Sequence, residues 1–148
     1  MTTRLSAGVA GFLIGVGCVS VTTAQSSRKY INPRSAANAA DASQPPFSGA
    51  VLVGNTAYLA GVLGSGDTAE AAAKAGLDSL QTSLKAAGMT MDDLVTVQIF
   101  CPDVANYDAF NTVYRTYFKS EFPARAFLGS GPLLRGAKFE IQGIAVRR

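Results

Sequence analysis

The sequence predicts an α+β fold, a two-layer sandwich in which two helices cover one face of a mixed β-sheet. Short apolar runs bounded by Gly, Pro or Asn alternate with two longer segments whose apolar residues recur every three or four positions. The chain has 148 residues, 48% of them hydrophobic, which suits one compact domain. The expected order of elements is β-β-α-β-α-β-β.

The first 24 residues have the layout of a signal peptide. Arg4 gives a positive start, residues 7–21 form an apolar run too short for a comfortable membrane span, and small residues at Thr22 and Ala24 precede the expected cleavage. The mature protein is therefore expected to be exported, periplasmic or secreted, without a membrane attachment. Acylation of Cys18 is the alternative, disfavoured because no Leu stands three positions upstream.

Residues 25–45 are small and polar without sustained periodicity, which predicts a linker. Within it, residues 29–32 are a candidate edge strand. The folded domain is expected to span residues 46–148. Its strands are predicted from apolar runs at residues 50–53, 57–60, 94–101, 126–129 and 138–146, the first two joined by a tight Gly-Asn-Thr turn.

Helical spacing predicts a first helix from Asp67 or Thr68 to Ala87. Asp67 and Glu70 are expected to form its capping pair, and Gly88 stands where a left-handed terminator belongs. A second helix is expected over residues 104–119. Its apolar face should pack into the core and consists of Tyr107, Phe110, Val113, Tyr114, Tyr117 and Phe118.

Charge and composition exclude several classes of function. Thirteen Lys and Arg against ten Asp and Glu give a formal charge of +3, and the basic residues are scattered, so no nucleic-acid partner is expected. The chain has no histidine, which removes Ser-His-Asp and Cys-His catalytic pairs and the commonest transition-metal ligand. Neither a metal nor a cofactor is expected. Loss of the signal peptide would leave one cysteine, Cys101, and no intramolecular disulfide.

Two charged residues stand in the apolar carboxyl-terminal strands, which we expect to be neighbours in the sheet. Arg125 follows Phe-Pro-Ala, and Glu140 opens the segment Glu-Ile-Gln-Gly-Ile-Ala-Val. A desolvated arginine needs an anionic partner. That partner is either Glu140, in a structural ion pair, or a ligand carboxylate held bidentately by the planar guanidinium. Spacing alone favours the structural pair.

Several motifs occur in one consistent order, and together they resemble a known family. The chain is similar to the Rid family of reactive imine deaminases, formerly called YjgF and often labelled endoribonuclease L-PSP. The resemblance covers roughly residues 30–148, and ordered agreement of several motifs is more specific than any single one. The segments that carry it are residues 46–61, 86–88, 107–114, 122–125 and 140–146.

The resemblance implies a chorismate-mutase-like sandwich assembled as a homotrimer, with a ligand site in each cleft between subunits. It implies hydrolysis of 2-imino acids to 2-oxo acids and ammonia, so the expected partners are a small 2-imino or 2-oxo carboxylate and further copies of the chain. Arg125 would bind the substrate carboxylate. Glu140 would orient or activate the attacking water.

The resemblance also assigns the rim of the cleft. Asn111 matches a family asparagine, although a solvent-facing helix position is equally open for it. Gly61 matches a glycine that lets the ligand approach closely, but a turn at the end of a strand is the alternative. Phe47 replaces a family tyrosine and removes a hydroxyl. Phe127 replaces a family cysteine and would narrow the pocket.

These departures leave a second function open, a non-catalytic trimeric binder of small carboxylate metabolites. A ribonuclease comes third despite the family label, because the chain offers neither a histidine nor a basic groove to hold and cleave a phosphodiester.

Overall fold

The computed structural model describes residues 27–31 and 45–148. The expected signal peptide, its cleavage site and most of the linker lie outside the described residues. The elements are β1 Arg28–Ile31, β2 Ala50–Val53, β3 Thr56–Gly64, α1 Ala69–Ala86, β4 Leu94–Cys101, α2 Tyr107–Tyr114, β5 Ala124–Gly129 and β6 Phe139–Val146. None of the helices in these residues is long and apolar enough to cross a bilayer.

The sheet has six strands in the order β1-β2-β3-β6-β4-β5. All neighbours pair antiparallel except β4 and β5, which are parallel and are connected through α2. Strand β1 pairs with β2 at one edge of the sheet and overlaps the candidate edge strand at residues 29–32. The other edge is β5. Strand β4 lies between β5 and β6. The prediction that the last two strands are neighbours in the sheet is therefore wrong.

Both helices pack on the same face of the sheet, which confirms the two-layer α+β sandwich. Gly76 of α1 lies so close to the sheet that an added Cβ would stand 2.9 Å from Cδ1 of Ile141. From α2, the Phe110 ring lies 4.9 Å, centroid to centroid, from that of Phe139. Since Phe139 and Ile141 are two residues apart on β6, they project from the same side.

Helix α1 begins at the second of its two predicted start positions. Thr68 is the N-cap, and its Oγ1 accepts a hydrogen bond from Ala71 N at 3.1 Å. The expected capping pair of Asp67 and Glu70 is therefore wrong. The far end agrees with the prediction, because Gly88 has φ +71° and ends the helix in the left-handed region.

The second helical segment is less regular than its periodicity predicts. Residues Val104–Asn106 and Arg115–Tyr117 are 3₁₀ turns, and only Tyr107–Tyr114 is α-helical. The expected apolar face is also only partly core: Phe110 and Tyr114 are buried, whereas Tyr107 is 43% exposed. An aromatic side chain is thus left at the surface beside β5.

The helices cover one face of the sheet and leave the other face open. Strand β6 alternates strictly, with Phe139, Ile141 and Ala145 buried beneath the helices. Its intervening residues point to a face that carries no helix. That open face presents partly exposed apolar side chains: Val51, Tyr58, Phe100 and Ile144.

Candidate functional site

Arg125 lies on the edge strand β5 and points towards α2. Its register partner on β4 is Val97, which is fully buried on the helix side of the sheet. The guanidinium donates from Nη1 to Oδ1 of Asn111 at 2.7 Å and from Nη2 to the Tyr107 hydroxyl at 3.2 Å. Tyr107 and Asn111 are four residues apart on α2 and so share one helix face. The helix thereby fixes the guanidinium at two points.

Aromatic rings complete the surroundings of this guanidinium. Its Cζ lies 4.9 Å from the ring centroid of Tyr114 and 5.5 Å from that of Tyr107. The electron-rich faces of such rings attract a cation. None of these neighbours is negatively charged.

The structural ion pair between Arg125 and Glu140, which spacing alone favoured, is wrong. Within residues 27–31 and 45–148, the only ion pair joins Lys74 to Asp78. Strand β4 separates the two strands that carry Arg125 and Glu140. Moreover, Glu140 pairs with Phe100 on the open face, while Arg125 points to the helix face. In one chain the two charges lie on opposite sides of the sheet.

A small cavity of about 230 Å³ opens in front of Arg125. Its size suits a ligand of a few heavy atoms rather than a drug-sized molecule. The lining consists of Tyr107, Asn111, Tyr114, Arg115, Phe122, Pro123 and Arg125. Asn111 is half-buried here and accepts from Arg125, so its solvent-facing alternative is wrong.

Phe127 lies behind this cavity rather than in its lining. Two residues beyond Arg125 on the same strand, it points to the same side. Its ring meets those of Tyr107 and Phe110 at centroid distances of 5.0 and 5.6 Å, both edge-to-face. Phe127 thus holds α2 against β5 and sets the depth at which Tyr107 reaches Arg125.

Gly61 makes room for Glu140. It lies where the pairing of β3 with β6 shifts register, between Leu59 and Val62. A Cβ on Gly61 would collide with Oε1 of Glu140, so the carboxylate lies across the glycine. The alternative of a turn at the strand end is wrong, because β3 continues to Gly64.

Phe47 lies near Gly61. It is 57% exposed and lines another cavity, of about 350 Å³, together with Gly61. The opposite wall is formed by α1 through Asp78, Ser79, Thr82 and Ser83. The candidate residues therefore form two groups in one chain, Arg125 with Asn111 and Gly61 with Phe47, while Glu140 contacts Gly61 from the open face and does not line the second cavity.

Sequence reasoning missed the aromatic wall of the Arg125 cavity. Tyr114 was expected in the core, and it is 3% exposed, yet it also lines the cavity. Burial raises the pKa of its hydroxyl to about 12, although nearby Arg125 acts in the opposite direction. That hydroxyl has no hydrogen-bond partner in the described part of the chain. The i, i+4 spacing of Tyr107 and Asn111 was the one available signal for this helix face.

Metal ligands are not gathered in either group. No cluster of three or more His, Cys, Asp or Glu side chains in the described ranges is arranged to hold a metal ion.

Comparison with known proteins identifies the family of this chain. Residues 37–147 match the family described as Endoribonuclease L-PSP. The human protein named 2-iminobutanoate/2-iminopropanoate deaminase is 36% identical over 111 residues, which cover 69% of this chain and 80% of the human protein. The Capra hircus protein of the same name is 38% identical over 110 residues, with the same two coverages.

Solved structures give the same assignment. The YjgF gene product from E. coli is 28% identical with a TM-score of 0.67, covering 70% of this chain and 89% of that one. RidA from an Antarctic Psychrobacter is 27% identical with a TM-score of 0.67, again covering 70% and 89%. The family match extends over most of the chain and includes every described strand and helix except β1. This chain therefore belongs to the endoribonuclease L-PSP family, also called YjgF or Rid, as the order of its motifs predicted.

Proposed function

We propose that this protein hydrolyses reactive 2-imino acids to 2-oxo acids and ammonia. The observation that carries the proposal is the Arg125 guanidinium, which Asn111 and Tyr107 hold in a small cavity without an acidic partner among the described residues. A planar donor fork in this setting matches the planar carboxylate of a 2-imino acid. Relatives that carry the name 2-iminobutanoate/2-iminopropanoate deaminase support the same chemistry.

The reaction requires one water and no redox partner. Water oxygen adds to C2 of the protonated imine, and one of the water protons passes to the nitrogen. The C–N bond then breaks as the remaining hydroxyl becomes the carbonyl, and the hydroxyl proton leaves with ammonia as ammonium, so the products are the 2-oxo acid and ammonium. Arg125 holds the carboxylate, which fixes C2 in front of the water. Glu140 accepts the proton from the attacking water. A positioned carboxylate base contributes about 10²- to 10⁴-fold to such a step.

The placement of Glu140 makes assembly part of this proposal. Arg125 and Glu140 face opposite sides of one sheet, so a single chain cannot bring both to one ligand. We propose a homotrimer in which Glu140, Gly61 and Phe47 of one subunit meet the Arg125 cavity of the next. The open sheet face, with Tyr58 50% exposed, favours such burial.

Export is a further part of the proposal. The amino-terminal pattern of a positive start, an apolar run and small residues supports removal of residues 1–24 and action outside the cytoplasm. Intact mass of the protein from its native host tests this. A mass that retains Met1, or one that carries a lipid on Cys18, contradicts it.

A binder without catalysis is the second candidate. Its supporting observation is that the anion-binding group is complete within one chain, whereas the carboxylate base is not. Phe47 also lacks a hydroxyl that would hydrogen-bond ligand or water. Such a protein would bind 2-oxo and 2-imino acids through Arg125 and release them unchanged.

Ammonia release from freshly generated 2-iminopropanoate and 2-iminobutanoate separates the two candidates. For the deaminase, Arg125→Ala should abolish both hydrolysis and binding of 2-oxobutanoate, and Arg125→Lys should restore little because a point charge lacks the bidentate fork. Glu140→Gln should retain binding while hydrolysis falls by an order of magnitude or more.

The controls decide between enzyme, binder and structural arginine. A wild type that binds 2-oxobutanoate but does not accelerate hydrolysis over buffer would establish the binder. If Arg125→Ala lowers only the midpoint of thermal unfolding and keeps activity, the arginine is structural and the site is misassigned.

A further inference from the structure

The cavity in front of Arg125 contains a second cation. Arg115 lines the same cavity and lies at the start of the 3₁₀ turn Arg115–Tyr117, directly after α2. Its Cζ lies 5.7 Å from the ring centroid of Phe122. Like Arg125, it has no acidic group within 4.0 Å in the described residues, where Lys74 and Asp78 form the only ion pair. Two guanidiniums thus share one small cavity without a counter-ion from the chain.

Two stacked aromatic rings lie between Arg115 and Arg125. Tyr114 and Phe122 lie with centroids 6.1 Å apart and planes inclined by 20°. Arg125 sits on Tyr114 and Arg115 sits on Phe122, so the contacts run in series from cation to ring to ring to cation. Attraction to the ring faces holds each guanidinium at its own position. The wall between the two cations is therefore apolar.

This arrangement fits a ligand with two anionic ends and an apolar middle. A monocarboxylate satisfies Arg125 and leaves Arg115 to solvent. A dicarboxylate satisfies both cations, while its methylene groups lie against Tyr114 and Phe122.

We propose that the site prefers 2-imino acids that carry a second carboxylate, with Arg125 holding the C1 carboxylate and Arg115 the distal one. The inference rests on the proposed deaminase function and names its substrate class: 2-imino dicarboxylic acids. The reaction that supplies them is the oxidation of an acidic amino acid at its α-amino group. Arg115 is then the residue that determines specificity.

A matched pair of ligands isolates the distal charge. 2-Oxopentanedioate and its 5-amide have the same size and differ by one negative charge. Calorimetric titration of the assembled wild type should give about two- to fivefold tighter binding of the dicarboxylate. The ratio is modest because Arg115 is exposed and water weakens its attraction. It should fall further as salt concentration rises.

Arg115→Gln should reduce that ratio to about one, because it weakens binding of the dicarboxylate more than binding of the amide. Lys119→Gln is the matched control, because it removes the same charge from an exposed position four residues away that does not line the cavity. The control should keep the wild-type ratio. The rate of ammonia release from the corresponding 2-imino acids should show the same preference for the dicarboxylate in the wild type and in Lys119→Gln, and no preference in Arg115→Gln.

Two failures are distinguishable. If the wild type binds 2-oxobutanoate and accelerates imine hydrolysis, but shows no preference for the dicarboxylate or keeps it in Arg115→Gln, the specificity inference is overturned and the deaminase stands. If the wild type neither binds any of these oxo acids nor hydrolyses any imine, the proposed function falls and takes this inference with it.

Discussion

Replacing Gly61 with alanine tests whether the Glu140 carboxylate must lie where the structure has it. The new Cβ would collide with Oε1 of Glu140 and would stand 3.1 Å from its Cδ and 3.2 Å from its Cγ. The overlap is relieved when the Glu140 side chain turns away, because that side chain is half-buried and projects from the open face. The main effect should therefore be a displaced carboxylate in a folded protein.

The expected magnitudes separate stability from catalysis. Forcing a side chain off its preferred rotamer costs about 0.5–1.5 kcal/mol. The lower entropy of alanine in the unfolded chain offsets about 0.4–1 kcal/mol of this, so the free energy of unfolding should change by less than about 1 kcal/mol. Displacing the base by about 1 Å should lower the rate of imine hydrolysis by about 10²-fold. Binding of 2-oxobutanoate should change little.

Urea unfolding, ammonia release and calorimetric binding measure these three quantities. Gly131→Ala is the matched control, since a Cβ there meets nothing within 4 Å, and it should keep full activity. In the double variant with Glu140→Gln, the alanine should cause no further loss, because its target is already inactive. Full activity of Gly61→Ala, or additive losses in the double variant, would refute the reasoning.

Three further outcomes are expected. Tyr114→Phe should raise the free energy of unfolding by about 1 kcal/mol in urea, because it deletes a buried hydroxyl that has no partner in the described residues; a destabilised variant would mean that the hydroxyl is satisfied. Hydrogen bonds from Lys74 and Tyr117 lower the pKa of Asp78, so its stabilisation is present above pH 3.8 and is lost as pH falls through its folded pKa. Asp78→Asn should therefore destabilise the protein more at pH 7 than at pH 2, and an equal deficit at both values would contradict this. Light scattering of the mature domain should give the mass of a homotrimer, and a monodisperse monomer at micromolar concentration would defeat both the assembly and the shared site.

Sequence patterns predicted the elements whose causes are local. The hairpin between β2 and β3 follows from Gly54, which adopts φ +61° at the turn. Helix α1 was bounded within two residues at each end, because its apolar spacing stops at Gly88. The second helix was predicted over residues 104–119, but only Tyr107–Tyr114 is α-helical. Apolar periodicity does not distinguish α-helix from the 3₁₀ turns that flank residues 107–114.

The site depended on information that spacing does not contain. Motif order identified Arg125, Asn111 and Glu140, but the face on which each projects depends on strand order and register. Insertion of β4 between β5 and β6 is a long-range pairing, and it turned an expected ion pair into two charges on opposite faces. Arg115 and the aromatic wall were missed for a related reason. Residues that line a cavity and residues that fill a core have the same helical period.

The placement of Arg125 and Glu140 on opposite faces has a consequence for the activity of a subunit that has not yet assembled. A lone copy holds Arg125 on one face and Glu140 on the other, so under the proposed mechanism it would retain a carboxylate without acting on it. Catalytic competence would then begin only with assembly and would vanish on dilution. For the same reason, two copies that are each inactive, one without the arginine and one without the glutamate, would restore about a quarter of the sites when mixed randomly in equal amounts.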